Sequence, residues 1–464
     1  MKSCMPDYPT GVIEGFYGKP WTNSERFLLF DWLHTCGLNT YIYAPKDDLK
    51  HRAAWRELYS ASESKTISSL IRASKQRGIC FCYAIAPGLD MRFSADSDHA
   101  ALRNKLAQVV KMGCRSFALL FDDIPARLAP HDRKRFGSQA SAQAATANGI
   151  YEWLDRHATG SRLFFCPTIY CGAMAHPNVA QSDYLRDLGN KLHPSIKVFW
   201  TGPDIVSGEI SVDSIRELRS VLRRRPVLWD NLYANDYDMR RLHTGPYAGR
   251  PPALKTETDG ILLNPNCQFH ANFVPVHSFA SWLRAPTSTN LQPAWNRAIR
   301  TWLAQFQIRQ PHKISFQALH LFCDFLYLPT GPGPGATQYL DDLQILLRTP
   351  PGHWTGQYER FKRSSRLVLS LFESLLHIEN RDLLHSLYAH AWELKERVLL
   401  LQTWANWRKT NPAPTERFTP AEFSPALLQR STCAELDRLI EKILTRPQQE
   451  RVRKVNSRRS SSAF

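Results

Sequence analysis

Residues 116–123 of the chain read SFALLFDD, an apolar run that ends in two adjacent aspartates. A short run without alternation of polar and apolar positions is typical of a strand buried on both faces of a parallel sheet. Two neighbouring carboxylates at the end of such a strand repel each other and lose solvation, so something must offset their cost. The pair therefore indicates a chemical role for Asp122 and Asp123.

An acidic pair after a strand has a second interpretation, since it can cap the following helix or face water in a turn. Ile124-Pro125 comes next, and the next clear helical pattern begins near Ser141. A cap needs an adjacent helix, and the sequence predicts none here. We therefore favour the catalytic interpretation.

The alternation of a short apolar run with an amphipathic segment occurs about eight times along the first 280 or so residues, as expected for repeated strand–helix units. Eight units of this length are the size of a (β/α)8 barrel, whereas doubly wound sheets carry fewer units and a glycine-rich phosphate loop. Gly15-Phe-Tyr-Gly18, after the first run, is not that loop. The predicted strands lie at residues 11–16, 40–45, 79–85, 114–121, 163–167, 196–200, 227–229 and 260–263.

After about residue 290 the pattern becomes helical, with breaks such as Gly331-Pro-Gly-Pro-Gly335. The predicted fold class is α/β, a (β/α)8 TIM barrel followed by a smaller all-α helical domain. We predict a barrel domain over residues 1–290, a helical domain over 291–445 and a disordered, basic, serine-rich tail over 446–464. The predicted helical segments after the barrel are residues 292–307, 315–326, 338–347, 357–377, 382–404 and 425–443.

Composition narrows the class of protein. The chain has 464 residues, of which 43% are hydrophobic, so it is globular and too long for one core. No stretch has the length of a membrane span and no signal peptide follows Met1, which predicts a cytoplasmic protein without a membrane partner. The ten cysteines are scattered, without paired metal-ligand spacing, and predict reduced core residues, no metal site and no cofactor.

The net charge of +17 raises the possibility of a nucleic-acid partner. Part of the excess lies in the predicted tail, and no basic motif interleaved with aromatic residues occurs elsewhere. We predict no nucleic-acid partner.

Polar residues follow most of the predicted strands. In a barrel these strand ends meet on the face that carries active sites. With Trp200 and Trp229 nearby, the set suits a carbohydrate, whose hydroxyls need acceptors and whose apolar faces stack on rings. Taken singly, Lys46 could be a solvated loop residue, Trp229 a core residue and Tyr170 a turn anchor. The strand-end residues are Glu14, Gly15, Lys46, Asp47, Asp48, Asp122, Asp123, Tyr170, Asp230, Asn231, Asn235, Asp236, Asn264 and Asn266.

A family resemblance adds to this reading. The strings GVIEGFYGKPW (11–21), NTYIYAPKDDLKHR (39–52), GCRSFALLFDDI (113–124), LWDNLYANDYD (228–238) and LLNPNC (262–267), with shorter ones between them, resemble the catalytic domain of family 84 glycoside hydrolases, the O-GlcNAcase family. Two departures are visible: Ile169 stands where the family pattern has an acidic residue, and Tyr233 replaces a histidine. We expect both to alter the rim of the pocket.

The resemblance implies a retaining β-N-acetylglucosaminidase that removes O-linked N-acetylglucosamine from serine and threonine of glycoproteins. The substrate's acetamido group would be the nucleophile, through an oxazoline intermediate, with Asp122 and Asp123 as the catalytic pair. The helical region resembles a stalk that dimerises in animal relatives, so a homodimer is expected. Substrate binding would fall to Gly15, Lys46, Tyr170, Trp229, Asn231, Asp236 and Asn264.

Two other functions remain open from the sequence. The enzyme could act as a hexosaminidase or hyaluronidase on other N-acetylglucosamine glycans. The chain could also be a non-catalytic sugar-binding protein, although that function predicts a disrupted acidic pair, and the pair is intact.

Overall fold

Eight parallel strands form a closed barrel in which the first and last strands are neighbours. The computed structural model describes residues 6–125, 127–285, 290–412, 418–420 and 433–445. Thr10 of the first strand lies in register with Ile261 of the last, so the sheet has no open edge. The strands are β1 (Thr10–Glu14), β2 (Thr40–Tyr43), β3 (Cys80–Ile85), β4 (Ser116–Leu120), β5 (Arg162–Cys166), β6 (Lys197–Trp200), β7 (Val227–Asp230) and β8 (Ile261–Leu263).

Burial explains why the strands read as continuous apolar runs. Every residue of β2, β3 and β4 is buried, because one face of the barrel wall meets the interior and the other meets helices. The interior contains small and aromatic side chains together, among them Cys82, Ala118 and Phe164. The predicted barrel is therefore confirmed.

Helices surround the barrel and connect its strands. The first begins after Thr22, whose side chain forms a capping box with Glu25 and satisfies free backbone groups of the first turn. The helices of this part are α1 (Asn23–Thr35), α2 (Ala61–Gln76), α3 (Asp96–Lys111), α4 (Pro130–Phe136), α5 (Gln139–His157), α6 (Asp183–Lys191), α7 (Val212–Leu222), α8 (Leu254–Glu257) and α9 (Phe273–Arg284).

The segment after β4 corrects one sequence expectation. Helical structure begins at Pro130, well before Ser141, because the short, charged helix α4 lacks the apolar periodicity that marks longer helices. Its N-cap position is Ala129. The two aspartates after β4 therefore do not cap it. The position of the N-cap excludes the capping interpretation, whereas the sequence argued against it from the lack of an adjacent helix.

A second compact unit is all-helical. The chain divides into one unit of Met1–Met239 and Pro246–Ala298 and another of Arg240–Gly245 and Ile299–Phe464. The predicted boundary at residue 290 stays a prediction, and the predicted tail over 446–464 lies outside the described residues. The remaining helices are α10 (Gln292–Leu303), α11 (Phe316–Phe325), α12 (Pro334–Arg348), α13 (Gly356–Leu375), α14 (Arg381–Thr410) and α15 (Ala434–Thr445).

Two further properties of the described residues concern the length of apolar helices and the state of the cysteines. None of their helices is long and apolar enough to cross a bilayer. The nine cysteines in the described part of the chain all carry free thiols, and all but Cys267 are buried.

Candidate active site

A cavity of about 300 Å³ opens at the carboxyl ends of the barrel strands. All nine residues that the sequence assigned to catalysis or substrate binding line it, because each lies at or after the end of its strand. The lining residues are Gly15, Tyr17, Lys46, Asp122, Asp123, Cys166, Tyr170, Thr201, Ile205, Val206, Trp229, Asn231, Ala234, Asp236, Tyr237 and Asn264.

Asp122 is a buried carboxylate held by a cation. Its Oδ2 accepts a hydrogen bond from Nζ of Lys46, which follows β2. Burial by itself would raise the pKa of Asp122, but the charge and hydrogen bond of Lys46 outweigh burial and hold that pKa below its usual value. The Asp122 carboxyl is therefore ionised at neutral pH.

The second oxygen of Asp122 has no partner. Its Oδ1 is buried and accepts no hydrogen bond from any described residue. The same holds for Oδ1 of Asn264, which follows β8 and also lines the cavity. Buried acceptors of this kind are almost always satisfied, so these two atoms call for donors from a bound molecule. The site is built to receive N–H or O–H groups.

Asp123 has a different environment from its neighbour. The hydroxyl of Tyr170 donates to its Oδ1 at 2.7 Å, and the hydroxyl of Tyr17 donates to its Oδ2 at 2.8 Å. Burial, together with the charge of Asp123, raises the pKa of both phenols well above the ordinary value. Both tyrosines therefore keep their protons and act as donors to this carboxylate.

An amide chain fixes another wall of the cavity. Nδ2 of Asn264 donates to Oδ1 of Asn231 at 2.9 Å, and Nδ2 of Asn231 donates to the carbonyl of Ile205 at 2.7 Å. Asn231 is thereby engaged at both ends of its amide. It orients Asn264 and anchors the loop that carries Ile205, which is exposed at the mouth.

Trp229 forms an apolar wall, and its position depends on a glycine. A Cβ added at Gly15 would lie 2.3 Å from Cζ2 of the indole, closer than any side chain can stand. The Lys46 ammonium lies 5.7 Å from the centre of the same ring. Gly15 therefore has a steric role, because its missing side chain lets the indole lie against the end of β1.

Several strand-end residues that the sequence grouped with the site serve the scaffold instead. Glu14 is buried against Arg26, and Asp230 is buried in an ion pair with Arg250 in which both side chains are inaccessible. Arg26 lies 12 residues after Glu14, and Arg250 lies 20 residues after Asp230. The other residues that do not line the cavity are Asp47, Asp48, Trp200, Asn235 and Asn266.

The two departures from the family pattern also lie outside the cavity lining. Tyr233 is completely buried, and Ile169 is half-buried without lining the cavity. Neither residue contacts the cavity directly, and their effect on its rim stays a prediction. Each is followed in the chain by a residue that does line the cavity, Tyr170 after Ile169 and Ala234 after Tyr233.

The structure adds residues that the sequence reading missed. Tyr17 bonds Asp123 through its hydroxyl, and its backbone N–H donates to Oδ2 of Asp236 at 2.9 Å. Arg52 donates to the backbone carbonyl of Asp123. Tyr17 lies in the segment GFYG after β1, and Arg52 lies in the segment KDDLKHR after β2. Both segments contain assigned site residues, so proximity in sequence could have indicated these two residues.

Comparison with known proteins supplies an independent observation. A family model described as beta-N-acetylglucosaminidase matches residues 10–319. Protein O-GlcNAcase of Mus musculus and its counterpart of Rattus norvegicus are each 50% identical to this chain over 275 residues. That stretch covers 59% of this chain and 30% of each relative, so the chain matches less than a third of their length.

A solved structure resembles the chain over nearly its whole length. It is a mutant O-GlcNAc hydrolase from Thermobaculum terrenum, 27% identical, with a TM-score of 0.74. The match covers 98% of this chain and 97% of that one. The likeness therefore includes the helical part of the chain as well as the barrel.

Proposed function

Because the chain belongs to the beta-N-acetylglucosaminidase family of glycoside hydrolases, we propose that it hydrolyses β-linked N-acetylglucosaminides and removes O-linked N-acetylglucosamine from serine and threonine side chains of proteins. The hydrolase from Thermobaculum terrenum and the two rodent O-GlcNAcases support this substrate class. The observation that carries the proposal is the buried, ionised Asp122 with one oxygen lacking a partner, beside a second carboxylate with different partners.

The proposed reaction uses the substrate's own acetamide. Asp122 accepts a hydrogen bond from the acetamido N–H and stabilises the positive charge that develops on that group as its carbonyl oxygen attacks C1. The C1–O bond to the protein breaks while Asp123 gives a proton to the departing oxygen. Positioned internal nucleophiles reach effective molarities of about 10⁵ M or more, which explains why no separate protein nucleophile is required.

The second half of the reaction restores the enzyme. Water attacks C1, gives a proton to Asp123 and opens the oxazoline to the free acetamide, so the configuration at C1 is retained. The change of role from acid to base requires a carboxyl that exchanges protons with the reacting oxygen. Lys46 holds Asp122 ionised, so Asp123 is the carboxyl of the pair that would carry the proton.

The remaining residues would bind the sugar. Tyr170 would turn its hydroxyl from Asp123 to the acetamido carbonyl and orient that group, and Trp229 would enclose the methyl group. Lys46, Asp236 and Asn264 would bind ring hydroxyls, with the Oδ1 atom of Asn264 as a ready acceptor. Gly15 and Asn231 would act through the groups they position, the Trp229 ring and the Asn264 amide.

One comparison tests the reaction. We expect the chain to cleave 4-nitrophenyl β-N-acetylglucosaminide and to leave the matching β-glucoside intact, because the glucoside has no acetamide to attack C1. Equal cleavage of both would contradict substrate assistance. Binding of the acetamide sugar without any cleavage would favour the non-catalytic alternative.

The protein substrate needs a separate test. We expect a glycopeptide bearing one serine-linked N-acetylglucosamine to be cleaved faster than chitobiose or hyaluronan oligosaccharides. Beyond the sugar the substrate would contact Tyr17, Ile205 and Tyr237, which line the cavity and are exposed. Preference for the oligosaccharides would support the hexosaminidase alternative.

Assembly and compartment belong to the same proposal. We propose a homodimer formed through the helical unit, supported by the exposed apolar residues Tyr388, Trp392 and Leu399 along one helix, α14. The free thiols support a reducing compartment, and we propose the cytoplasm. Light scattering at micromolar concentration tests the dimer, and Trp392→Glu should shift the mass to that of a monomer.

A further inference from the structure

Asp123 has an uncommon backbone conformation. Its φ is 52°, and Asp123 and Arg223 are the non-glycine positions with positive φ among the described residues. Arg223 follows the last turn of α7, where left-handed geometry is common. Asp123 ends no helix. A left-handed conformation is unfavourable for most non-glycine residues and persists where surrounding groups hold it.

The first of these groups is Arg52. Its Nη2 donates to the main-chain carbonyl of Asp123 at 3.0 Å, and the arginine is only 7% exposed. Its Nη1 is buried and bonds no residue that the structure describes, so the bond from Nη2 to Asp123 links the guanidinium to its described surroundings. The arginine thus fixes the peptide of Asp123 rather than its carboxylate.

The second group is Tyr17, which fixes the carboxylate. Its hydroxyl donates to Oδ2 of Asp123, and the guanidinium carbon of Arg52 lies 5.9 Å from the centre of its ring. Its backbone N–H is held by Asp236. Arg52 and Tyr17 therefore contact each other and hold the main chain and the side chain of the same residue.

We propose that Arg52 and Tyr17 are positioning residues that hold Asp123 in its left-handed conformation and aim its carboxyl at the leaving-group oxygen. The inference rests on the proposed function, since it names what serves the acid of that reaction. Displacement of a catalytic group by about 1 Å costs on the order of 10²-fold in rate. A loss of positioning should therefore appear where proton donation limits the rate.

The test compares Arg52→Lys, Arg52→Ala and Tyr17→Phe on two aryl β-N-acetylglucosaminides, the phenyl glycoside with a poor leaving group and the 2,4-dinitrophenyl glycoside with a good one. For Arg52→Ala we expect kcat/KM to fall about 10²-fold on the phenyl glycoside and less than about tenfold on the dinitrophenyl glycoside. KM should change little. Arg52→Lys should recover part of the loss, and added guanidinium should recover part of it in Arg52→Ala.

Tyr17→Phe adds a pH readout. Removing a hydrogen bond donated to a carboxylate favours its protonated form, so the basic limb of the kcat/KM profile should move to higher pH. A purely structural loss would lower the profile without moving it. If Tyr17→Phe instead raises the rate on the phenyl glycoside, its hydroxyl occupies the place of the leaving group and the proposal is overturned.

Controls separate folding from positioning. Arg56→Lys changes an arginine that bonds Asp90 and Asp98, and Tyr8→Phe changes a tyrosine that bonds Thr258, so neither should alter the leaving-group dependence. Calorimetric Tm values show whether each variant is folded. Equal losses on both glycosides in folded variants would overturn the inference alone, whereas a wild-type chain inactive on both would overturn the proposed function.

Discussion

The ammonium of Lys46 contacts Oδ2 of Asp122, and the two side chains are only 2% and 9% exposed. The pair joins the segment after β2 to the segment after β4 at the floor of the cavity. Burial and the cation act in opposite directions on the carboxyl, and the cation prevails. The charge of the lysine therefore decides the protonation state on which the proposed reaction depends.

Replacing Lys46 by methionine should move the acid limb of the kcat/KM profile to higher pH. The folded pKa of Asp122 is lowered in the native chain, so its ionised form is lost only as pH falls below the usual range for aspartate. Without the cation of Lys46, burial is the largest influence on that pKa and raises it, against the weaker opposing charge of Arg52. We expect a displacement to higher pH, measured with an activated aryl glycoside across pH 3–8.

The matched control for this variant is Lys65→Met, at an exposed position of α2. It should leave the acid limb unchanged. An unchanged limb in Lys46→Met would mean that another group keeps Asp122 ionised. The native pair should also contribute stability at neutral pH that is lost as pH falls through the lowered pKa of Asp122.

Asp123→Asn should separate substrates by leaving group. An asparagine cannot give a proton, so we expect kcat/KM on a serine-linked glycopeptide to fall by about 10²–10⁴-fold. A dinitrophenyl glycoside departs without protonation and should retain most of its kcat/KM. The measurement is initial rates on both substrates, and similar losses on the two would remove Asp123 from the acid role.

Gly15→Ala should weaken sugar binding through Trp229. The new Cβ would stand 2.3 Å from the indole, so the ring must move, and overpacking of this kind costs about 1–3 kcal/mol. We expect the Kd of a bound inhibitory sugar analogue to rise at least several-fold in titration calorimetry. Gly149→Ala is the control, because nothing lies within 4 Å of a Cβ there and the position is exposed within α5. An unchanged Kd in Gly15→Ala would show that the ring position is not needed.

Arg250→Met should destabilise the barrel. The variant leaves Asp230 charged and inaccessible, without its cation, and breaking a buried pair in this way costs about 3–5 kcal/mol. Urea unfolding measures the change. Arg216→Met, which removes a half-exposed arginine from Glu257, should cost under about 1 kcal/mol. A similar small cost for both variants would show that Asp230 finds another partner.

The sequence predicted the barrel because the pattern that indicates each strand lies within a few consecutive residues. Each strand lies between helices and the barrel interior, so runs such as SFALLF remain apolar throughout, and their repetition indicates the topology. The short helix α4 escaped prediction because seven mostly charged residues carry no apolar period. Local pattern therefore predicted the strands and missed a helix that has no apolar pattern.

Site residues were predictable only in part, because a strand-end position does not reveal the partner of a side chain. Glu14 and Asp230 looked like members of the site, but Arg26 and Arg250 hold them inside the scaffold. Conversely, the bond between Tyr17 and Asp123 joins positions 106 apart in sequence, which no local pattern reports. The contributions of these residues follow from tertiary contacts alone.

The pairing of β1 with β8 affects how the protein must be made. Gly15 and Asn264 come from the two ends of the barrel sequence, so the cavity has a missing wall until the eighth strand docks beside the first. During synthesis, roughly 250 residues must be added after β1 before its second neighbour, β8, can pair with it. Until then one edge of β1 is unpaired and can associate with other chains. Nascent barrels should therefore depend on chaperones during that interval, and activity should appear abruptly with the last strand.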